Sequence, residues 1–274
     1  MPALSVAFRS QARHLYETHP VVKDNPHTVS FAAAPQGPNH AQVVDMIEQF
    51  AHFSLSFIVS QCKAMIHAPT EEIERGARSI LVNENGVGIN VETGNCERKV
   101  FSHLAAHINW LREIALLLNM SIWPDGKHAK FGTAERATRY TQEFSFLLDR
   151  VFGSPNPNIA CAASFVIESW AGYGIGTEYE YKNFWHQLIV GLKRHNECRR
   201  VPQELPPLPL HFFTYHFALE KGHVASVMHQ LEAMADFPGF NEEEWLTGGK
   251  QALDAMLIFW EGLAKQWPKL ADAE

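Results

Sequence analysis

The sequence predicts an all-α protein, and three observations support this fold class. Apolar residues recur at helical spacing over long stretches, as at Val43, Ile47 and Phe50. Runs that alternate β-branched and polar residues, which are typical of strands, are few. Proline and glycine separate the apolar stretches, as at Pro69 and Gly86, where helices are expected to end. No repeat or linker divides the 274 residues, so we expect a single domain over the whole chain.

The predicted helices follow from local periodicity and from the residues that begin and end them. Residues 1–40 are expected to form a helix and an extended arm, and residues 241–268 a final helix packed on the bundle. Thr70 can cap one helix, whose first turn carries glutamates that favour the positive end of its dipole. Residues 87–98 are predicted to form a loop. The predicted helices are 6–19, 41–65, 71–85, 99–120, 134–152, 158–173, 180–194, 211–234 and 242–267.

Composition argues against several functional classes. The net charge is −7 and the pI is near 6.1, which disfavours nucleic acid or an anionic membrane as a partner. The four cysteines lack CxxC spacing, which favours reduced thiols over disulfides or a thiolate zinc site. No apolar run reaches membrane-spanning length, and the N-terminus lacks the apolar segment of a signal peptide. We therefore expect a cytoplasmic protein.

The most informative stretch is residues 211–234, in which His216, Glu220 and His223 are spaced by four and three residues. At about 100° per residue, their side chains lie within roughly 40° of one another on a helix. Apolar residues continue this face, so the three side chains are expected to enter the core, where an ionised carboxylate needs a partner. A metal ion is one such partner. Ordinary core histidines, one of them protonated and paired with Glu220, are the other interpretation.

Three further predicted helices each turn an acid or an imidazole inward. Glu84 falls about 20° from the apolar stripe of its helix. Glu168 lies within a helix that is apolar almost all round, where a carboxylate must be neutral, paired or metal-bound. His107, with His103 as the alternative, extends the apolar side of the helix predicted at 99–120. Three carboxylates and three imidazoles are a set that can hold two divalent irons, with manganese as the alternative metal.

Taken in order along residues 43–234, these motifs resemble those of the haem-oxygenase-like di-iron oxidases and oxygenases, relatives of thiaminase II and pyrroloquinoline quinone synthase. The resemblance implies a bundle of about seven core helices, a labile non-haem di-iron site that activates dioxygen, and an amine, amino acid or fatty acid as the substrate. The loop before His107 is longer than in the family, and Glu220 stands where Asp is more common. The matching residues are Glu84 in Glu84-Asn85-Gly86-Val87-Gly88, His107, Glu168, and His216, Glu220 and His223 after Phe212 and Phe213.

The leading hypothesis is an oxidoreductase that uses iron and dioxygen on a small-molecule substrate, with a homodimer as the expected assembly. The first alternative is a metal-free enzyme, either a cofactorless oxidase or a hydrolase with Cys161 as its nucleophile. The second is a helical interaction protein without turnover. The expected ligands are Glu84, His107 and His216 for one iron and Glu168, Glu220 and His223 for the other iron or for a bridge. The aromatic candidates for the pocket wall, each with ordinary core packing as the alternative, are Phe57, Phe165, Trp170, Phe213 and Tyr215.

Overall fold

The structure, a computed structural model, describes residues 5–89, 96–101 and 106–271, with the side chains of 87–89, 96–101, 221, 225 and 226 excepted. The described residues form eleven α-helices and one two-stranded hairpin. The helices are α1 (Val6–Thr18), α2 (Pro20–Lys23), α3 (Thr28–Ala33), α4 (His40–Ile66), α5 (Glu71–Glu84), α6 (His107–Leu117), α7 (Arg139–Phe152), α8 (Pro157–Ala171), α9 (Phe184–His195), α10 (His211–Ala235) and α11 (Glu242–Ala271).

The all-α fold class is confirmed, and each predicted helix has a counterpart. The predicted extended arm near the N-terminus is wrong, because α2 and α3 occupy it. His19 caps α2, and Pro20 at its first position favours that start because it has no N–H to leave unbonded. Helix α7 begins at Arg139 rather than at 134, because Thr138 accepts a hydrogen bond from the Thr141 N–H and caps it there. Among the described helices, none combines the length and apolarity that crossing a bilayer requires.

An antiparallel hairpin stands where the sequence predicted a loop at 87–98. Its strands are β1 (Val87–Ile89) and β2 (Cys96–Phe101), and Val87 pairs with Phe101. The β-branched residues at 87, 89 and 100 favour an extended backbone, whereas charged residues at 97–99 leave no apolar stripe at helical spacing. The helix predicted from 99 therefore begins only at His107. His103, the alternative to His107, lies outside the described residues.

Helix α11 lies against α7 and α8 and contributes much of the aromatic core. Its Trp245, Phe259 and Trp260 are fully buried. Phe53 of α4 stacks between Phe50 and Phe144, with ring centroids 5.1 and 5.0 Å away and planes within 11° of parallel. Helix α4 also packs on α5, and α10 packs on α5 and α8. The helices that carry the predicted ligands are therefore held against one aromatic interior.

Asn39 joins the start of α4 to the end of α11. Its side-chain oxygen accepts a hydrogen bond from the Gln42 N–H at 2.9 Å, and the Gln42 side chain accepts one from the Asn39 N–H at 2.8 Å. These two bonds form a capping box, which satisfies backbone donors that a helix start leaves open. The Asn39 amide also donates to the Leu270 carbonyl at 2.7 Å. One buried side chain thus fixes two helices relative to each other.

We expect Asn39→Ala to lower the free energy of unfolding by about 2 kcal/mol, roughly half from the lost cap and half from the lost bond to Leu270. Asn39→Ser is the matched control, because its hydroxyl keeps a capping oxygen and adds no charge while the amide donor is lost, for a loss of about 1 kcal/mol. Urea unfolding at constant m-value measures both. A change below about 0.5 kcal/mol for Asn39→Ala would show that this junction does not stabilise the bundle.

Candidate metal centre

Helix ends and helix faces bring the six predicted ligands inward. Glu84 is the last residue of α5, and His107 is the first residue of α6. Glu168 lies in α8, which is buried over most of its length, and α10 supplies the remaining three. The inward stripe predicted for α5 is buried as expected, so Glu84 enters the interior with it. The exposed fractions are 7% for Glu84, 0% for His107, 3% for Glu168, 5% for His216 and 3% for Glu220, and His223 is partly buried.

The structure brings these side chains together in two groups. We call Glu84, His107 and His216 the first cluster, and Glu168, Glu220 and His223 the second cluster. Within each, one potential ligand atom per residue lies within 4.8 Å of the others. The sequence hypothesis divided the same six residues between two metal ions in this way.

In the first cluster, the Glu84 carboxylate lies between two imidazoles. Its Oε2 is 2.9 Å from His107 Nδ1, and its Oε1 is 3.6 Å from His216 Nε2. His216 Nδ1 lies 2.6 Å from the Phe212 carbonyl, which can only accept, so this nitrogen carries the proton and donates. Nε2 is then free to bind a metal. A backbone carbonyl that orients a histidine in this way is typical of metal-ligating imidazoles.

His107 is fully buried, yet neither ring nitrogen makes a hydrogen bond to any described residue. The 2.9 Å contact of its Nδ1 with Glu84 Oε2 is an ion pair when the imidazole is protonated. The ring lies nearly parallel to Trp110, with centroids 5.1 Å apart. A buried imidazole that makes no hydrogen bond is costly in free energy. Within the described residues, the first cluster supplies no hydrogen bond to either nitrogen of His107.

The second cluster contains its own positive charge. His223 Nδ1 lies 2.9 Å from Glu168 Oε2 and 3.3 Å from Glu220 Oε2. Burial lowers the pKa of His223, but the charges of the two glutamates outweigh burial and raise that pKa well above its usual value. Burial raises the pKa of Glu220, and the neighbouring Glu168 adds to this effect against the attraction of His223. Without metal, a protonated His223 therefore offsets part of the negative charge of this cluster.

Glu84 titrates in the opposite direction from Glu220. Burial alone raises its pKa, but the charge of His107, together with the contacts to His107 and His216, holds the pKa well below its ordinary range. The first cluster therefore keeps an ionised carboxylate in the interior. A cation is the species that stabilises this carboxylate, and both imidazoles of the cluster can share the same cation with it.

The donor atoms fit divalent metal ions. Nitrogen and oxygen ligands that bind one ion at about 2.1 Å are separated from each other by roughly 3 Å. The His107–Glu84 pair of the first cluster is 2.9 Å apart, and His223 lies 2.9 and 3.3 Å from Glu168 and Glu220 in the second. These distances match that separation. Imidazole and carboxylate without thiolate suit iron or manganese. Within the described residues, neither nitrogen of His107 makes a hydrogen bond, and Glu220 Oε2 has only its 3.3 Å ion-pair contact with His223. Such ions would give these atoms further partners.

A small cavity opens beside the clusters. About 40 Å³ is available to the centres of water molecules, which is a few times the volume that one water requires. Two of the aromatic residues predicted at the pocket, Phe57 and Trp170, line it. Phe165 lines a different cavity and Phe213 is buried in the core, so for these two residues core packing, the alternative, is observed. Tyr215 contacts the His107 ring instead, at 5.3 Å between centroids.

Sequence reasoning missed most of the cavity wall. One side of the wall is a face of α4. Residues 53 and 54 lie four and three positions before Phe57 and share that face, so periodicity could have identified them. The α9 side depends on how helices pack, and the local pattern gives no signal for it. The missed residues are Phe50, Phe53, Ser54, Ile167, Ala171, Phe184, Trp185 and Phe212.

Cys161, the nucleophile of the metal-free alternative, lies two helical turns before Glu168, or about 10 Å along α8. It lines a separate cavity with Phe165 and Trp245. Burial raises the pKa of its thiol to about 12. The reactive thiolate is therefore scarce at neutral pH, and the thiol does not line the cavity beside the clusters.

Two crystal structures of a CADD-like protein of unknown function from Nostoc punctiforme share this fold. One, at 2.00 Å resolution, has a TM-score of 0.65 and 15% sequence identity, over 96% of this chain and 99% of that chain. The other, at 1.35 Å resolution, has a TM-score of 0.55 and 12% identity, over 98% of each chain. No family model and no curated protein matches the sequence. The likeness shows a common fold, and the resemblance to haem-oxygenase-like di-iron proteins stays a prediction.

We expect metal binding to release at least one proton near pH 7. Metal ligation requires a neutral imidazole, whereas the raised pKa keeps His223 protonated without metal, so apparent affinity increases with pH until this pKa is passed. Calorimetric titration of Mn²⁺ in buffers with different ionisation enthalpies counts the protons. His223→Gln removes the titrating group and should release fewer protons. Binding heats that are independent of the buffer would contradict this description of the second cluster.

Proposed function

We propose that this chain is a non-haem di-iron oxidase or oxygenase of the haem-oxygenase-like class, which uses dioxygen on a small organic substrate such as an amine, an amino acid or a fatty acid. One observation supports this proposal above all. Six inward side chains from four helices form two three-residue clusters beside a cavity with aromatic walls. A structural zinc site needs only four ligands, so this surplus of carboxylates favours a pair of oxygen-activating metals.

The roles of the residues follow from their contacts. The first cluster would hold one iron and the second cluster the other. Two ferrous irons, when bound, supply the electrons that activate dioxygen. The Phe212 carbonyl holds the His216 ring so that Nε2 faces Glu84. Trp185 packs nearly parallel on the same ring, with centroids 4.7 Å apart, and further fixes its orientation.

The cavity excludes bulk water from the reacting centre. Its wall is mainly aromatic, and the acids and imidazoles of the clusters form most of its polar part. In a water-poor site, charges on metals and ligands interact more strongly than in solvent. His223 would deliver its proton to solvent or to a bound group when a metal replaces that proton.

A metal-free helical protein is the second candidate, and one observation favours it. The ion pairs of His223 with Glu168 and Glu220 already compensate the second cluster without metal. The first cluster argues against this candidate, because neither nitrogen of the fully buried His107 makes a hydrogen bond within the described residues. We do not include thiol catalysis in the proposal, because Cys161 lies outside the cavity.

The cellular setting belongs to the same proposal. Cys62, Cys161 and Cys198 are free thiols, as a reducing cytoplasm would leave them. Ferrous iron is also maintained most easily in a reducing compartment. We propose a cytoplasmic enzyme whose partners are its substrate and dioxygen, and a homodimer as its assembly.

We expect the purified protein to bind about two Fe²⁺ per chain without oxygen, and to develop a transient visible absorption band when air is admitted. Glu168→Ala should abolish the band and lower the iron content toward one per chain, because it removes a ligand of the second cluster only. His229→Ala is the matched control, since His229 is an exposed histidine on the same helix α10 and belongs to neither cluster.

Iron analysis and stopped-flow absorption spectroscopy measure both quantities. Two results together would overturn the proposal in favour of the metal-free candidate: wild-type protein takes up no iron, and the His216→Ala variant is as thermally stable as wild type. Loss of the band in His229→Ala would mean that the signal does not report on the clusters.

A further inference from the structure

The cavity beside the clusters has an unusual distribution of polar groups. Apart from the five cluster residues that reach it, its described lining is almost entirely aromatic or aliphatic. Phe57 and Phe53 face it from α4, Trp170 from α8, and Trp185 from α9. No lysine or arginine lines it among the described residues. In the metal-free protein, a negatively charged group that enters would find only His223 as a positively charged side chain in this described lining, and His223 is already paired with Glu168 and Glu220.

Ser54 carries the one hydroxyl group in this described lining. It is 7% exposed, and its hydroxyl makes no hydrogen bond within the described part of the chain. Other serines of the same helix are bonded, because Ser60 donates to the Ser56 carbonyl at 2.9 Å and Ser56 pairs with Ser145 at 2.8 Å. The Ser54 hydroxyl borders the cavity, so a molecule that enters can form a hydrogen bond with it.

We infer that this cavity binds a neutral molecule with an aromatic or similarly flat apolar body and one hydrogen-bonding group, and that the Ser54 hydroxyl binds that group. The inference rests on the proposed function in treating this molecule as the substrate. In the metal-free protein, a carboxylate inside the cavity would also lie near Glu84, Glu168 and Glu220, so a neutral molecule fits better there.

Size and wall chemistry favour the same class. A volume of about 40 Å³ for water centres corresponds to about three water-sized groups in contact, which is the scale of a single small ring. Aromatic walls bind flat rings through dispersion and edge-to-face contacts. One hydroxyl in such a wall fixes the orientation of the ring, and so decides which of its atoms faces the clusters. Ser54 is in this sense a positioning residue.

Three probes of similar size separate the contributions. Phenol and toluene differ only in a hydroxyl and a methyl group, and benzoate adds a full negative charge. Their dissociation constants are measured by ligand-detected NMR on the metal-free protein, so that no probe can ligate a metal. We expect phenol to bind more tightly than toluene, and benzoate to bind at least about tenfold more weakly than phenol.

Ser54→Ala should weaken phenol binding by about 3- to 10-fold and leave toluene within about twofold, because only the hydrogen bond is lost. Ser60→Ala removes a hydroxyl from the same helix outside the cavity lining and should change neither constant. Equal phenol binding in wild type and Ser54→Ala, benzoate binding as tight as phenol, or no binding of any probe would each overturn the inference.

Iron uptake is measured separately on the same preparation. Protein that binds phenol through Ser54 but takes up no iron would retain this inference about the cavity and overturn the di-iron proposal. Protein that binds two irons but whose phenol affinity does not change in Ser54→Ala would retain the di-iron proposal and overturn this inference about the cavity. The two failures are therefore distinguishable.

Discussion

Three carboxylates and three imidazoles lie in the interior of this bundle, and the need to compensate their charge constrains everything around them. Moving one carboxylate into a protein interior costs several kcal/mol unless a partner restores the lost hydration. The second cluster has an internal partner in protonated His223. In the first cluster, Glu84 stays ionised beside His107, whose nitrogens have no hydrogen bonds to described residues. One bound cation in each cluster would compensate the carboxylates and bind the imidazoles of that cluster.

The fold serves this constraint by placing ligands where helix geometry holds them firmly. Glu84 ends α5 and His107 begins α6, so the two side chains meet although a hairpin separates them in sequence. Helix α10 contributes to both clusters from one face, which fixes the spacing between them. The stacked rings of α4 and α7 and the buried aromatic residues of α11 surround this arrangement with a rigid, water-poor wall.

The sequence predicted well what depends on one helix alone. Glu84, Glu168 and the three residues of α10 were found because helical phase determines which side chains point inward. Residue spacing alone could not distinguish His107 from His103, because positions four apart share a helix face. The hairpin was missed because a short β-branched segment gives a weak signal. Trp185 at the cavity was missed because its place depends on the packing of α9 against other helices, which local periodicity does not encode.

The central claim is that the two clusters are two metal sites, and a crystal structure with an anomalous difference map at the iron absorption edge tests it most directly. Crystals grown with ferrous iron in the absence of oxygen should give two peaks. One should lie among Glu84, His107 and His216, and the other among Glu168, Glu220 and His223. A map without a peak in either cluster, with the His223 ion pairs intact, would contradict the account.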